Sequence, residues 1–261
     1  MIDLKSKQRI TIKIGSNILT DDRRQLDLNQ LRHLVNQISF LRDEGKEIIL
    51  VTSGAIVCGA EALGIEPRSI EEKQASAAVG QVILMDNYQL FFEKAGYKVA
   101  QILLTRDALE DAQRAQHAQN TFTTLLKLGV IPVVNENDTV AVDEIKFSDN
   151  DTLSSMVSML VKSDVLIILT DIDGVYDQDP NLHPDAVLLK TLHHIPQTML
   201  ESMSSSSPSG KGRGGMRSKV EAANRLLQAG IDVIIANGRR TNILLDLYAG
   251  DAPATFCSKG A

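Results

Sequence analysis

Val165-Leu166-Ile167-Ile168-Leu169-Thr170-Asp171-Ile172-Asp173-Gly174 begins as an unbroken apolar run and stops abruptly in a hydroxyl, two acids and a glycine. The run has strand length rather than helix length, and it does not alternate. A strand that is apolar at every position is covered on both faces. Outward from it the pattern recurs at Ile10 to Ile14, Glu47 to Val51, Val99 to Leu104, Val130 to Val134 and Val233 to Ala236. Between these runs lie helical spacings: Leu31, Leu34, Val35, Ile38 and Leu41; Leu153, Met156, Val157, Leu160 and Val161; Val220, Ala223, Leu226 and Leu227. Alternation of this kind predicts an α/β fold, a three-layer αβα sandwich with a mainly parallel central sheet. Ligands of such sheets sit beyond the carboxyl ends of the strands, where the polar tail of the 165–174 stretch falls.

One stretch departs from the pattern. Ser202 to Gly215 is rich in Ser and Gly, carries Pro208 and has no apolar periodicity; it reads as a mobile loop ahead of a final helix–strand–helix section. No internal repeat and no domain boundary is evident, so residues 1–261 read as a single domain. The net charge of −6 argues against a nucleic-acid partner, which calls for a basic face or tail. The N-terminus lacks the apolar core of a signal peptide, and no run is long enough to suggest a membrane span. Cys58 and Cys257 fit no metal or redox spacing, and two lone thiols suit a reducing compartment. The expected location is the cytoplasm.

Several strand exits carry residues suited to anions. Lys13 stands near the end of the first run, followed by Gly15, which permits close backbone approach to a ligand. Taken alone, a surface lysine and a turn glycine explain that segment better. Thr52-Ser53-Gly54-Ala55 follows the second run; its small residues allow a tight turn with N–H groups facing a ligand, or a Ser that caps a helix, and the two readings are evenly matched. Asn135-Glu136-Asn137-Asp138-Thr139 follows another run and would suit an ammonium group if Asp138 points inward. Phe147-Ser148-Asp149-Asn150-Asp151-Thr152 precedes a clear amphipathic helix; capping explains one Asp there, but an Asp-Asn-Asp run less well. The acids from Asp171 to Asp177 lack calcium-loop spacing, because the glycine comes too early and the last position is Leu182. None of the five histidines forms a metal spacing, and no metal site is expected. Gly210-Lys211-Gly212-Arg213-Gly214-Gly215 contains GxGxxG, but no strand precedes it, so it is not a dinucleotide fingerprint. It remains a cationic, Gly-rich loop feeding a helix N-terminus, a combination suited to phosphate.

Taken in order, Lys13 to Ser16, Thr52 to Ala55, Asn135 to Val140, Phe147 to Asp151, Thr170 to Tyr176 and Gly214 to Met216 with Lys219 resemble the amino acid kinase family, from Lys13 to about Phe256. Within it, Asn135 to Val140 and Phe147 to Asp151 resemble the branch that phosphorylates the side-chain carboxylate of glutamate, the first step towards proline. Sister kinases acting on another acid such as acetylglutamate, and a non-catalytic amino acid sensor, are the alternatives. The resemblance implies an amino acid kinase-like fold, with a glutamate site in about 1–160 and an ATP site in about 161–261. It implies that Lys13 and Lys219 flank the transferred phosphoryl group and that Asp151 holds them in position. Ser53, Asp138 and Asn150 would bind glutamate. Lys13, Thr170, Asp171 and the segment Arg213, Gly214, Gly215, Met216, Arg217, Ser218 and Lys219 would bind ATP, with Mg²⁺ held mainly by the phosphates. Arg213 stands where relatives often have Thr, and Arg217 is bulky for its place. The resemblance also implies a homo-oligomer, dimer or tetramer, and proline as a feedback inhibitor. Many relatives continue into an RNA-binding-like PUA domain, which is expected to be absent from a chain that stops at Ala261.

Overall fold

The computed structural model describes residues 2–21, 23, 25–140, 150–180, 182–205 and 215–259. In chain order the described residues form β1 (Arg9–Ile14), α1 (Ser16–Leu19), α2 (Leu28–Asp43), β2 (Glu47–Val51), α3 (Ala55–Leu63), α4 (Ile70–Lys94), β3 (Val99–Leu104), α5 (Arg106–Glu110), α6 (Ala112–Lys127) and β4 (Ile131–Glu136). They continue with α7 (Asn150–Val161), β5 (Val165–Thr170), β6 (Thr191–Leu192), α8 (Gln197–Ser205), α9 (Gly215–Gln228), β7 (Asp232–Asn237), α10 (Ile243–Ala249) and β8 (Ala254–Cys257). The strands make one sheet in the order β3-β4-β2-β1-β5-β7-β8-β6, parallel at every pairing except β7 with β8.

Strand periodicity divides the core into layers. Successive strand residues point to opposite faces. Ile10, Ile12 and Ile14 of β1 therefore join Ile48, Leu50, Ile167 and Leu169 in a cluster covered by α2, α4 and α10. On the other face Ile49, Val51 and Val134 pack with Leu153 and Val157 of α7 and Phe122 of α6. Leu166, Ile168, Val233 and Ile235 pack there with Val220, Ala223 and Leu226 of α9. The expected three-layer sandwich is the observed one. Lys13 is out of phase with the isoleucines of β1, which turns it towards the layer of α7 and α9. Its register places it between Val51 of β2 and Ile168 of β5. From β1 the chain first builds the sheet on one side, through β2, and later on the other, through β5. The gap between the β1 and β5 exits is thus the topological switch point.

Helices α3 and α4 cross with almost no gap. A Cβ on Gly59 would fall 1.7 Å from the Ser76 carbonyl oxygen, and one on Gly80 would fall 1.8 Å from that of Ala55. Only glycine fits at either place. The contact locks the turn after β2 to the long helix α4, whose start is fixed by a capping box between Ser69 and Glu72.

The structure corrects two expectations. The expected loop from Ser202 begins as helix: α8 runs to Ser205, because Met199, Leu200 and Met203 pack against the α9 cluster. Residues 206–214 of that stretch lie outside the described residues, and Gly215 opens α9. The chain does not finish on a helix, since β8 follows α10 and pairs antiparallel with β7. Among the described residues no helix is long and apolar enough to cross a membrane.

Candidate active site

Asp151 sits in the first turn of α7, fully buried, where its charge also suits the helix N-terminus. Lys13 reaches it from β1, with Nζ 2.5 Å from Oδ1. Lys219 reaches it from α9, with Nζ 3.0 Å from Oδ2. Helical side chains lean towards the N-terminus of their helix. Lys219, in the second turn of α9, accordingly folds back and also donates to the carbonyl of Gly215 at 2.8 Å. Ser218 Oγ gives the carboxylate a further hydrogen bond at 2.9 Å. Lys13 is 5% exposed and Lys219 8%, and lysines are scarcely ever buried this far without a partner. The reading of Lys13 as a surface residue is therefore set aside.

The charge balance of this cluster decides its chemistry. Two ammonium groups share one carboxylate, leaving one net positive charge in a site of low dielectric. Burial pushes the Asp151 carboxyl up, but Lys13 and Lys219 more than offset this and hold it at about 2. An ammonium has three donors. Among the described residues Lys13 uses one of them on Asp151, and Lys219 uses two, on Asp151 and Gly215. The remaining donors suit the oxygens of an anion. A Cβ on Gly15 would stand 3.8 Å from Lys13 Nζ, so the bare glycine keeps the space beside that ammonium open.

Asn150, one residue earlier, faces a neutral wall. Its Nδ2 lies 2.7 Å from the Thr52 carbonyl, 2.8 Å from Ser53 Oγ and 3.1 Å from Asn135 Oδ1. The Thr52 carbonyl only accepts, which fixes the amide with nitrogen towards it. Among the described residues Asn150 Oδ1 is buried and has no hydrogen-bond partner, a group waiting for a donor. Asn135 Oδ1 also accepts from the Glu136 backbone N–H, and its Nδ2 donates to Gln81 Oε1 at 2.8 Å. Asn135 and Glu136 belong to β4 itself rather than to a loop beyond it. Ser53 begins the turn in which Gly54 takes φ 105°, a left-handed conformation that favours glycine, before α3. Asp138 is half-buried in the turn after β4, at the same end of the sheet.

The β5 exit forms the third side. Asp171 accepts from Thr170 Oγ1 and from Asn17 Nδ2, each at 3.1 Å. Burial raises its carboxyl, while these hydrogen bonds and the nearby Lys219 charge bring it below its usual range. Asp173 is held by Arg240 through two bonds of 2.8 and 2.7 Å and by Asn237. Asp151, Asp171 and Asp173 are thus all engaged by protein donors. No group of three or more His, Cys, Asp or Glu side chains among the described residues could hold a metal ion.

Most of the described residues read from the sequence as site residues fall at one end of the sheet. Lys13, Asp151, Lys219 and Ser218 meet in one cluster, and Ser53 and Asn150 in another. Thr170 and Asp171 sit together at the β5 exit. Met216 packs against the α9 cluster, and Arg217 pairs with Glu221 at 2.6 Å on the outer face of the helix. Arg213 and Gly214, like Phe147 to Asp149, lie outside the described residues. Sequence reading quoted Thr52 only as part of its turn and gave no role to Asn17, Gln81 or Tyr88. The last two are seven residues apart on α4, a spacing that puts them on one helical face.

The glutamate 5-kinase of Alkaliphilus metalliredigens is 42% identical to this chain over 98% of each. That of Geobacter metallireducens is 47% identical over 97% of this chain and 68% of its own length. The structure of carbamate kinase from Giardia lamblia bound to AMP-PNP superposes with a TM-score of 0.69 at 17% identity, covering 98% of this chain and all of that one, a likeness of fold. The family model described as the amino acid kinase family matches residues 8–237. With a profile match across most of its length and relatives this similar from end to end, the chain belongs to the amino acid kinase family.

Proposed function

We propose that this chain transfers the terminal phosphoryl group of ATP to the γ-carboxylate of L-glutamate, giving L-glutamyl 5-phosphate, the first step of proline biosynthesis. The observation that carries the reading is the convergence of Lys13 and Lys219, from opposite ends of the sequence, on the buried carboxylate of Asp151. The full-length likeness to glutamate 5-kinases supports the substrate.

A glutamate side chain has a reference pKa of about 4.3, so at neutral pH the nucleophile is already ionised and no general base is needed. The barrier is repulsion between that carboxylate and the polyanionic end of ATP. Catalysis then consists of positioning and charge stabilisation. The γ-carboxylate oxygen attacks the γ-phosphorus in line, the new O–P bond forms as the β–γ bridge bond breaks, and ADP leaves with the electron pair. Lys13 and Lys219 contact the phosphoryl oxygens from two sides, and Asp151 keeps the ammonium groups at fixed spacing. Asn150 Oδ1 and Asp138 accept from the substrate ammonium, while Ser53 fixes the glutamate backbone. Thr170, Asp171 and the segment from Arg213 to Lys219 hold the nucleotide. On this reading the strands before about residue 160 carry the glutamate half and those after it the ATP half, and magnesium accompanies ATP on the phosphates and water.

Proline repeats the α-carboxylate and amine of glutamate and so competes at the same wall. A cytoplasmic homo-oligomer, dimer or tetramer, is the expected form. The test is incubation with ATP, magnesium and candidate acids in the presence of hydroxylamine. Glutamate-dependent hydroxamate supports the proposal; hydroxamate formed with acetylglutamate alone, or none with any acid, rejects it. The Asp138→Ala variant is expected to raise the glutamate KM more than it lowers kcat, and an unchanged KM would remove Asp138 from the site.

A further inference from the structure

Thr52 has its three polar groups tied to three different elements. Its N–H donates to the Val134 carbonyl of β4 at 2.8 Å. Its carbonyl accepts from Asn150 at 2.7 Å. Its hydroxyl lies 2.9 Å from the Tyr88 hydroxyl of α4. We propose that Tyr88 is a positioning residue for glutamate: its hydroxyl fixes Thr52, and Thr52 in turn fixes the amide of Asn150 and the turn that carries Ser53. This rests on the reading of Ser53 and Asn150 as glutamate contacts.

The geometry gives the bond a direction. Thr52 Oγ1 also lies 3.3 Å from the Ser53 carbonyl, which can only accept. With the threonine proton directed there, Tyr88 donates to Thr52. Burial pushes the Tyr88 phenol above its usual range, so it keeps its proton at working pH. The ring is fully buried and stacks on Phe92, with centroids 6.3 Å apart. Phenylalanine would fill the same apolar space. The hydroxyl is the part that packing does not require, and a buried hydroxyl needs a partner. Its partner is the residue whose carbonyl orients Asn150. Because that carbonyl sets which way the amide faces, a shift of Thr52 turns Asn150 Oδ1 away from the substrate donor. The Lys13, Asp151 and Lys219 cluster is supported from β1, α7 and α9 and does not pass through this bond.

The experiment is a set of steady-state measurements on Tyr88→Phe, Thr52→Val and the double variant, with melting temperatures for each. Each single change is expected to raise the glutamate KM about three- to tenfold, the equivalent of one net hydrogen bond, with the ATP KM and kcat within about twofold. The double variant is expected to be no worse than the weaker single, since the two hydroxyls form one unit. Leu84→Val, a core change on the same helix, is expected to lower the melting temperature and leave the glutamate KM unmoved. An unmoved KM in Tyr88→Phe, additive effects in the double variant, or an equal KM rise in Leu84→Val would each overturn the positioning role. Asn150→Ala separates the two layers of the argument. If it raises the glutamate KM while Tyr88→Phe does not, the relay alone fails. If it leaves the KM unchanged, the reading of the glutamate wall fails and the relay with it.

Discussion

Asn150 and Asp151 are consecutive, both buried, and both in the first turn of α7, yet they face different groups. Consecutive helical side chains point about 100° apart. One turns towards the β2 and β4 exits and meets amides, a hydroxyl and a backbone carbonyl. The other turns towards β1 and α9 and meets two ammonium groups and a serine. One helix start therefore divides neutral from charged contacts. The comparison teaches that the two should fail differently. Damage to the charged wall should appear in turnover, and damage to the neutral wall in glutamate affinity.

The largest expected effect is on the charged side. On the proposed function Lys219→Ala removes a preorganised donor aimed at developing charge, and turnover should fall about 10²- to 10³-fold with little change in the glutamate KM. Steady-state rates at saturating ATP check this. A fall confined to the glutamate KM would merge the two walls and break the comparison.

The next effect concerns acid. The Asp151 carboxyl titrates at about 2 in the folded chain, against roughly 3.9 for a free Asp. A depressed folded pKa contributes stability that is present above the unfolded value and is lost as pH falls through the folded one. Denaturation midpoints should therefore decline between about pH 4 and pH 2, and the Asp151→Asn variant should show a shallower decline over that window. Equal slopes for both proteins would mean that the two lysines do not stabilise the carboxylate. Asn150→Ala should leave the slope untouched, because Asn150 is uncharged and the groups its amide donates to are uncharged.

How far the two walls could be read in the sequence differs in the same way. The strands were legible because both-face burial leaves unbroken apolar runs, as at Val165 to Leu169. β8 was not, because its four residues include Thr255, whose hydroxyl is taken up by the Val175 N–H. The two-residue β6 carries no pattern at all. The serine-rich end of α8 looked like loop by composition; packing of Met199 and Met203 on α9 decided otherwise. Lys13 alone read as a surface lysine, and only the resemblance pointed to it. Its partner Asp151 lies in another layer, and Lys219 is 68 residues beyond that. The support behind the neutral wall, Gln81 and Tyr88, was invisible for a physical reason. Polar atoms on the inner face of a long helix look like interruptions of an apolar stripe until the side chains they bond, Asn135 and Thr52, are placed beside them.

The smallest of these effects sharpens the comparison most. Asn150→Ala takes the donor from the Thr52 carbonyl, Ser53 Oγ and Asn135 Oδ1 together, and removes the buried Oδ1 that has no partner among the described residues. Water admitted by the truncation can hydrate the orphaned acceptors, so the loss should be smaller than a sum of separate bonds. A rise in the glutamate KM of about tenfold is expected, with the ATP KM unchanged, since the nucleotide side touches none of these atoms. Turnover should fall less than threefold, because Asp151 is held by Lys13, Lys219 and Ser218 from other elements. If turnover instead fell as far as in Lys219→Ala, the start of α7 would be acting as a single rigid unit, and the division between its first two side chains would be one of position rather than of function.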